Sequence, residues 1–249
     1  MCDGTAVTAT SERKAHARSL FAGIAGDYDR WAQLLSFGQD RRWHDLMIEA
    51  VAPAAARPGA RVADVATGTA AVAIAIARRY PGCHVVGIDQ SPEMLAGGAR
   101  RVEAAGLGGR IELLEGQAEA PPLAAGSVDA LTHTYLLRYV DDPAATLAGM
   151  AAAIRPGGMM ASLEFGMPRG AAFPAWRLWT RIGLPLFGAP GGRAWIATGR
   201  FLGPSIERFW SDHPLDEVLG WWAAAGMEGI RARRLSLGGG VIVWGTRSG

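Results

Sequence analysis

The stretch Arg61 to Ala75, RVADVATGTAAVAIA, constrains the fold more than any other. Arg61 to Val65 is a short apolar run suited to a buried strand. Ala66-Thr67-Gly68-Thr69-Ala70 is a small-residue turn, and Ala71 onward is helix-forming with apolar residues on most faces. Strand, glycine turn and helix in that order bring exposed backbone N–H groups to the positive end of a helix dipole. About twenty residues on, HVVGIDQS reads as a second buried strand ending at Asp89, where an acid is placed to accept hydrogen bonds from two vicinal ribose hydroxyls.

That pairing indicates a nucleoside cofactor. A dinucleotide site uses GxGxxG so that the backbone can approach a pyrophosphate. The turn here is a poor match, and no GxxxxGK[ST] phosphate loop occurs in the chain. S-adenosylmethionine fits better, because its carboxylate needs less room. Gly68 alone is equally consistent with a turn in any α/β protein; Asp89 at this distance favours the cofactor. Asp64 and Gln90, beside the two key positions, are grouped with Gly68, Thr69 and Asp89 as cofactor-binding candidates.

The chain has 249 residues, 49% hydrophobic and 19% charged, which suits one α/β domain, or a domain with a small lid, and a substantial core. Its formal charge of +2 gives no case for nucleic-acid binding. Cys2 and Cys83 fit no metal spacing and make no disulfide framework, so a reducing compartment, the cytoplasm, is expected and no metal is required. The N-terminus lacks the apolar core of a signal peptide. The apolar stretch Phe173 to Pro190 is interrupted by Arg177, Arg181 and Pro185 and is no membrane span. Peripheral membrane contact and a homodimer are both compatible with the chain.

In order along the chain, residues 1–15 read as a disordered lead-in and 16–249 as the domain. His16 to Trp31 and Trp43 to Ala52 read as helices of an N-terminal extension, 16–58, the second broken at Pro53. Tyr28 is a candidate lid over the cofactor, against the alternative that it and the neighbouring tryptophans only pack helices. SPEML opens a helix with Ser91 as N-cap and Pro92 in its first turn. Met94 then suits an adenine wall or the core. That helix region ends at Gly108-Gly109. Ile111 to Leu114 is a third strand, with Gln117 just beyond it. Ser127 to Tyr135 is a fourth strand carrying His133, Thr134 and Tyr135 at its end, next to Arg138. Asp142-Pro143 opens a helix running to Ile154, and RPGGMMASLEF is a turn and a fifth strand. Residues 167–210 are irregular and rich in Pro, Gly, Trp and Arg, as an inserted cap over a pocket would be. After a helix from Leu215 to Ala225, Ile230 to Leu235 and Val241 to Thr246 form an antiparallel pair. The fold class is α/β: a Rossmann-like, seven-stranded, mostly parallel sheet with a C-terminal hairpin.

From about Phe21 to Arg247 the chain resembles class I S-adenosylmethionine-dependent methyltransferases, most closely the ubiquinone/menaquinone biosynthesis C-methyltransferase family. The stretches that carry the resemblance are GDYDRWAQLLSFGQDRRW, DVATGTA, GIDQSPEML, GQAEAPPL, LLRYVDD, IRPGGMMASLEFGMP and FLGPSIERF. The resemblance implies sheet order 3-2-1-4-5-7-6. It implies cofactor roles for Gly68, Thr69, Asp89, Gln117, Ala118 and Thr134. Arg138 falls on an arginine proposed to act, with water, in deprotonating a quinol ring. The family usually carries Gly-Asp where this chain has Ala70-Ala71, so Ala70 is expected to crowd the cofactor turn by one methyl. The family's Arg-Asn is here Arg138-Tyr139, which alters the substrate side.

The implied chemistry is displacement at a sulfonium methyl by an electron-rich carbon or oxygen of a lipophilic aromatic or quinol acceptor. Holding the nucleophile in line supplies roughly 7–11 kcal/mol. Arginine stays protonated and is a poor base, so Arg138 suits holding a phenolate oxygen or a water. His133 and Tyr135 are the alternatives for proton transfer, with a core role the competing reading for His133. Two other readings stand beside methyl transfer: another reaction on the same fold with cofactor bound, and a non-catalytic subunit of a biosynthetic complex.

Overall fold

A computed structural model describes residues 33–34 and 36–249. The lead-in 1–15, the helix expected from His16 to Trp31 and the lid candidate Tyr28 lie outside the described residues.

The strands are β1 (Arg61–Val65), β2 (His84–Asp89), β3 (Ile111–Glu115), β4 (Val128–Thr134), β5 (Ile154–Phe165), β6 (Met227–Leu235) and β7 (Gly240–Arg247). They form one sheet in the order β3-β2-β1-β4-β5-β7-β6. The first five pair in parallel, and β7 runs antiparallel to both β5 and β6. This is the order the resemblance implies. Alternate residues of β1 feed opposite faces, as the two-residue period of a strand requires. Val62 joins the core cluster that holds Met47, Ile48 and Ile74, whereas Ala63 and Val65 join the one that holds Leu147, Met150 and Trp222. A parallel sheet buried on both faces explains why its strands read as apolar runs. Strand order reverses between β1 and β4, where open α/β sheets place their ligands.

The helices are α1 (Gln39–Ala50), α2 (Ala52–Ala55), α3 (Ala71–Arg79), α4 (Pro92–Ala104), α5 (Pro143–Ala152), α6 (Ala172–Leu178), α7 (Leu184–Gly188), α8 (Arg193–Asp212) and α9 (Leu215–Ala224). The Ser91 side chain caps α4 by accepting from Met94 N at 3.2 Å, and Asp142 caps α5 by accepting from Ala145 N at 2.9 Å.

Several boundaries differ from expectation. The helix before β1 begins at Gln39, four residues ahead of Trp43. Pro53 does not end helical structure but opens the short α2, where a missing N–H costs nothing. Gly106, with φ 69°, follows the end of α4 two residues before Gly108-Gly109. Ile154 belongs to β5 rather than to the preceding helix.

The largest departure is residues 167–210, which are helical for most of their length: α6, a π-helical turn at Trp179–Gly183, α7, a 3-10 turn and the long α8. The glycines that obscure helical periodicity there are close contacts between helices. A Cβ at Gly199 would lie 2.8 Å from Pro185 N, and one at Gly203 would lie 2.9 Å from the Thr180 Cβ.

Candidate active site

A cavity of about 400 Å³ opens at the carboxyl ends of β1, β2 and β4, bounded by α1 and by the helices of 172–212. At one end lies the turn after β1. Ala66, Gly68 and Ala70 all take positive φ, at 59°, 55° and 62°. Within the turn the Thr67 N–H donates to the Ile88 carbonyl at 3.0 Å and the Ala70 N–H to the Thr67 carbonyl at 2.9 Å, and only Gly68 takes a positive φ without steric cost. A Cβ on Gly68 would have nothing within 4 Å, so the backbone here fronts open space.

Three side chains hold the turn. Asp89 at the end of β2 accepts from Gly68 N at 2.8 Å and from Ser91 N at 2.9 Å. Asp64, beneath the turn, accepts from the Thr67 hydroxyl at 2.6 Å and the Thr132 hydroxyl at 2.7 Å. Arg101 donates to the Thr69 hydroxyl at 2.7 Å and the Thr69 carbonyl at 3.0 Å. Burial raises the Asp64 carboxyl from its ordinary 3.8 to about 6, partly offset by the two threonine hydrogen bonds.

Gly68, Thr69, Asp89, Gln90, Met94 and Thr134 all line the cavity. Asp64 does not: it is 1% exposed and supports the turn from below. Gln117 and Ala118 are also outside the lining. Gln117 is exposed, and its backbone bridges Ala120 in the tight turn that leads away from β3. The Ala70 methyl points away from the cavity: Ala70 is fully buried and sits 3.3 Å from where a Cβ on Gly98 of α4 would be. The expected crowding of the cofactor turn therefore falls on the packing of α4, and Ala71 is the residue of that pair that lines the cavity.

The other end of the cavity is aromatic, with Trp43, Tyr135, Phe165, Trp176, Trp179 and Trp195 among its walls. Tyr135 stacks on Phe165 with ring centroids 3.9 Å apart and 6° between planes. Arg138 lies under this wall with its side chain 1% exposed, Nε 3.6 Å from Glu164 Oε2. Its guanidinium sits 4.9 Å from the Tyr139 ring and 5.4 Å from the Phe165 ring. Glu164 Oε1 accepts from Leu136 N at 2.8 Å and Leu137 N at 2.9 Å, fixing the loop that carries Arg138. All three guanidinium nitrogens are buried without a hydrogen bond to a protein group. Desolvation pushes the Glu164 carboxyl upward, against the opposing pull of Arg138.

The three candidates for the acceptor side therefore separate. Arg138 and Tyr135 line the cavity, and His133 does not. His133 shares the phase of Leu131 on β4 and is fully buried. Desolvation lowers it to about 3, so the imidazole is neutral at any physiological pH. Sequence reasoning missed the face of α1 that carries Gln39, Asp40, Trp43 and His44, all of which line the cavity. These are two i, i+4 pairs on one helix face. Beginning the helix at Gln39 would have revealed them. Trp43 Nε1 donates to Ser236 Oγ at 3.0 Å, and Ser236 donates to Gln39 Oε1 at 2.8 Å, which docks α1 on the β6–β7 hairpin.

The cavity fits S-adenosylmethionine on two counts: the open backbone cradle at Gly68, and an aligned carboxylate at the end of β2.

Residues 7–247 match the model of the ubiE/COQ5 methyltransferase family. The chain is 36% identical over 228 residues to the ubiquinone/menaquinone biosynthesis C-methyltransferase UbiE of Syntrophotalea carbinolica, covering 90% of each. It is 34% identical to the demethylmenaquinone methyltransferase of Thermus thermophilus, covering 92% of this chain and all of that one. Among solved structures it resembles a SAM-dependent methyltransferase from Aquifex aeolicus at TM-score 0.53 and 19% identity, over 77% of this chain and 84% of that one.

Proposed function

The chain belongs to the ubiE/COQ5 methyltransferase family, and on that premise we propose that it methylates a ring carbon of a lipophilic quinol-type acceptor. The observation that carries this reading is a single cavity with two chemically different ends. One end is the Gly68–Asp89 turn, and the other is the aromatic wall above Arg138. When bound, S-adenosylmethionine supplies an electrophilic methyl group on a sulfonium.

Gly68 and Thr69 would hold its amino-acid end, Asp89 its ribose hydroxyls, and Met94, Gln90 and Thr134 its remaining surface. The tryptophans of 167–210, acting as a cap, stack on a flat acceptor at roughly 0.5–1.5 kcal/mol per ring contact and exclude water. Arg138, a permanent cation in a low-dielectric setting, stabilises negative charge developing on the acceptor oxygen. That field acts from beneath the Tyr139 and Phe165 rings.

A peripheral contact with anionic lipid accompanies this reading. Leu178, Ile182 and Leu186 recur every four residues and are 62%, 57% and 64% exposed, beside Phe187 at 60%. Trp179, which lines the cavity, lies 5.5 Å from Phe187 and 4.7 Å from the exposed Phe37, so this apolar surface adjoins the aromatic end. From Phe165 to Ile206 there are five arginines and no acidic residue; Arg177 and Arg181 pair with Glu207 just beyond, so Arg169, Arg193 and Arg200 carry the basic character of this face. An acceptor with a long apolar tail would enter from such a surface. No helix among the described residues is long and apolar enough to cross a membrane.

The test is incubation with methyl-labelled S-adenosylmethionine and a reduced naphthoquinone. Label on a ring carbon, located by carbon NMR, supports the reading. Label on oxygen would make the protein an O-methyltransferase, and no label in either place would remove the methyl-transfer reading.

A further inference from the structure

His44, Asp40 and Tyr135 meet on the cavity wall in an arrangement suited to moving a proton. Asp40 is 7% exposed and bridges the other two. Its Oδ1 accepts from the Tyr135 hydroxyl at 2.5 Å, and its Oδ2 lies 3.5 Å from His44 Nδ1. A carboxylate beside Nδ1 favours the tautomer with its proton on that nitrogen, which leaves the lone pair on Nε2. His44 Nε2 is buried and makes no hydrogen bond with a protein group. The bond to Asp40 commits the Tyr135 hydroxyl proton and ties the end of β4 to α1. His133, the other described histidine near this end of the sheet, is sealed in the core.

We propose that His44 takes the proton from the acceptor's ring hydroxyl, with Asp40 as the residue that positions it. The inference rests on the methyl-transfer reading and names its base. The step is a proton transfer only: the acceptor O–H bond breaks, an N–H bond forms at Nε2, and the electron pair stays on the acceptor oxygen. Imidazolium and phenolate replace imidazole and phenol, with no change of net charge and no oxidant or reductant. The phenolate then pushes electron density to the ring carbon that takes the methyl group, and loss of that carbon's own proton to solvent restores the aromatic ring. Arg138 cannot take this part, because it stays protonated, but it favours the phenolate that results. Among the described residues the ionisable groups that line the cavity besides His44 are Asp40 on the same helix, Asp89 after β2, and Tyr135, Arg138 and Tyr139 after β4. Of these, only Asp40 and Tyr135 are paired with His44 through the contacts above.

The test uses 1-naphthol, whose neutral and ionised forms absorb differently, with no turnover needed. Wild-type protein saturated with S-adenosylhomocysteine should hold bound naphthol ionised to a greater extent at pH 7.5 than free naphthol in the same buffer. H44Q should bind naphthol but return its ionised fraction toward that of the free probe. D40N should do so in part, and imidazole added to H44Q should restore ionisation. In methyl transfer, H44Q should lower kcat by a hundredfold or more, leave the affinity for S-adenosylhomocysteine unchanged, and lose the acidic limb of the wild-type pH profile. Naphthol that stays equally ionised in H44Q, or an intact acidic limb, overturns the proposal and leaves methyl transfer standing. Wild-type protein that binds naphthol only in its neutral form overturns it as well. Failure of wild-type protein to methylate any quinol is the separate result that defeats the underlying reading.

Discussion

Asp89 accepts the Gly68 backbone N–H at 2.8 Å, which locks the carboxylate at the end of β2 to the turn after β1. The group proposed to bind ribose is therefore also the group that shapes the cradle for the cofactor's amino-acid end. Asp89→Ala should cost both, with roughly 1.5–3 kcal/mol for the charged acceptor alone. Calorimetry with S-adenosylhomocysteine should show binding at least ten- to a hundredfold weaker. Unchanged affinity would place the ribose elsewhere.

Ala70 holds φ 62° with its methyl buried against α4. Changing it to glycine relieves about 1–2 kcal/mol of left-handed strain. It also gives up about 0.8 kcal/mol of methyl burial and about 0.4–1 kcal/mol through the freer unfolded chain. Ala70→Gly should thus melt close to wild type and bind S-adenosylhomocysteine within about threefold of it. A large gain in affinity would mean that the methyl reaches the cavity after all.

Asp64 gives a pH signature. Its carboxyl is raised to about 6 in the folded protein from an ordinary 3.8. Between those values the folded chain keeps a proton that the unfolded chain has lost. Its contribution is therefore fully present below about pH 4 and is lost as pH rises through about 6, on the order of 3 kcal/mol. Asp64→Asn removes this linkage. The stability of the variant minus that of wild type, from urea melts, should shift in the variant's favour between pH 4 and pH 7. A difference that is flat across that range would mean Asp64 titrates normally.

Ile182→Asp with Leu186→Asp breaks the exposed apolar row without touching the cavity lining. Wild-type protein should co-sediment with vesicles containing phosphatidylglycerol, less so at high salt, and the double variant should remain in the supernatant. Methylation of a short-chain, water-soluble quinol should be equal in the two. Equal sedimentation would detach this face from the membrane.

The strand–turn–helix at Arg61 and the acid at Asp89 were legible because a buried parallel sheet writes its strands as apolar runs. A required turn likewise leaves its glycine. The helices of 167–210 were not legible, because Gly199 and Gly203 serve helix contacts and interrupt the pattern that sequence reading relies on. His133 stands at a strand end in the sequence, but strand phase turns it into the core. His44 lay unnoticed because Asp40 was left off the helix that pairs the two. Gln117 was suggested by its place after β3 and by the resemblance, and Ala118 by the resemblance; neither lines the cavity.

The central claim is that cofactor and acceptor share one cavity, with the Gly68–Asp89 turn at one end and Tyr135, Arg138 and His44 at the other. The most direct measurement is a crystal structure with S-adenosylhomocysteine and a naphthol bound together. The account predicts the ribose hydroxyls on Asp89, the homocysteine end over Gly68, and the naphthol ring between the sulfur and the wall formed by Tyr135 and Trp176. Cofactor density away from Asp89, or a naphthol outside the aromatic end of this cavity, would contradict it.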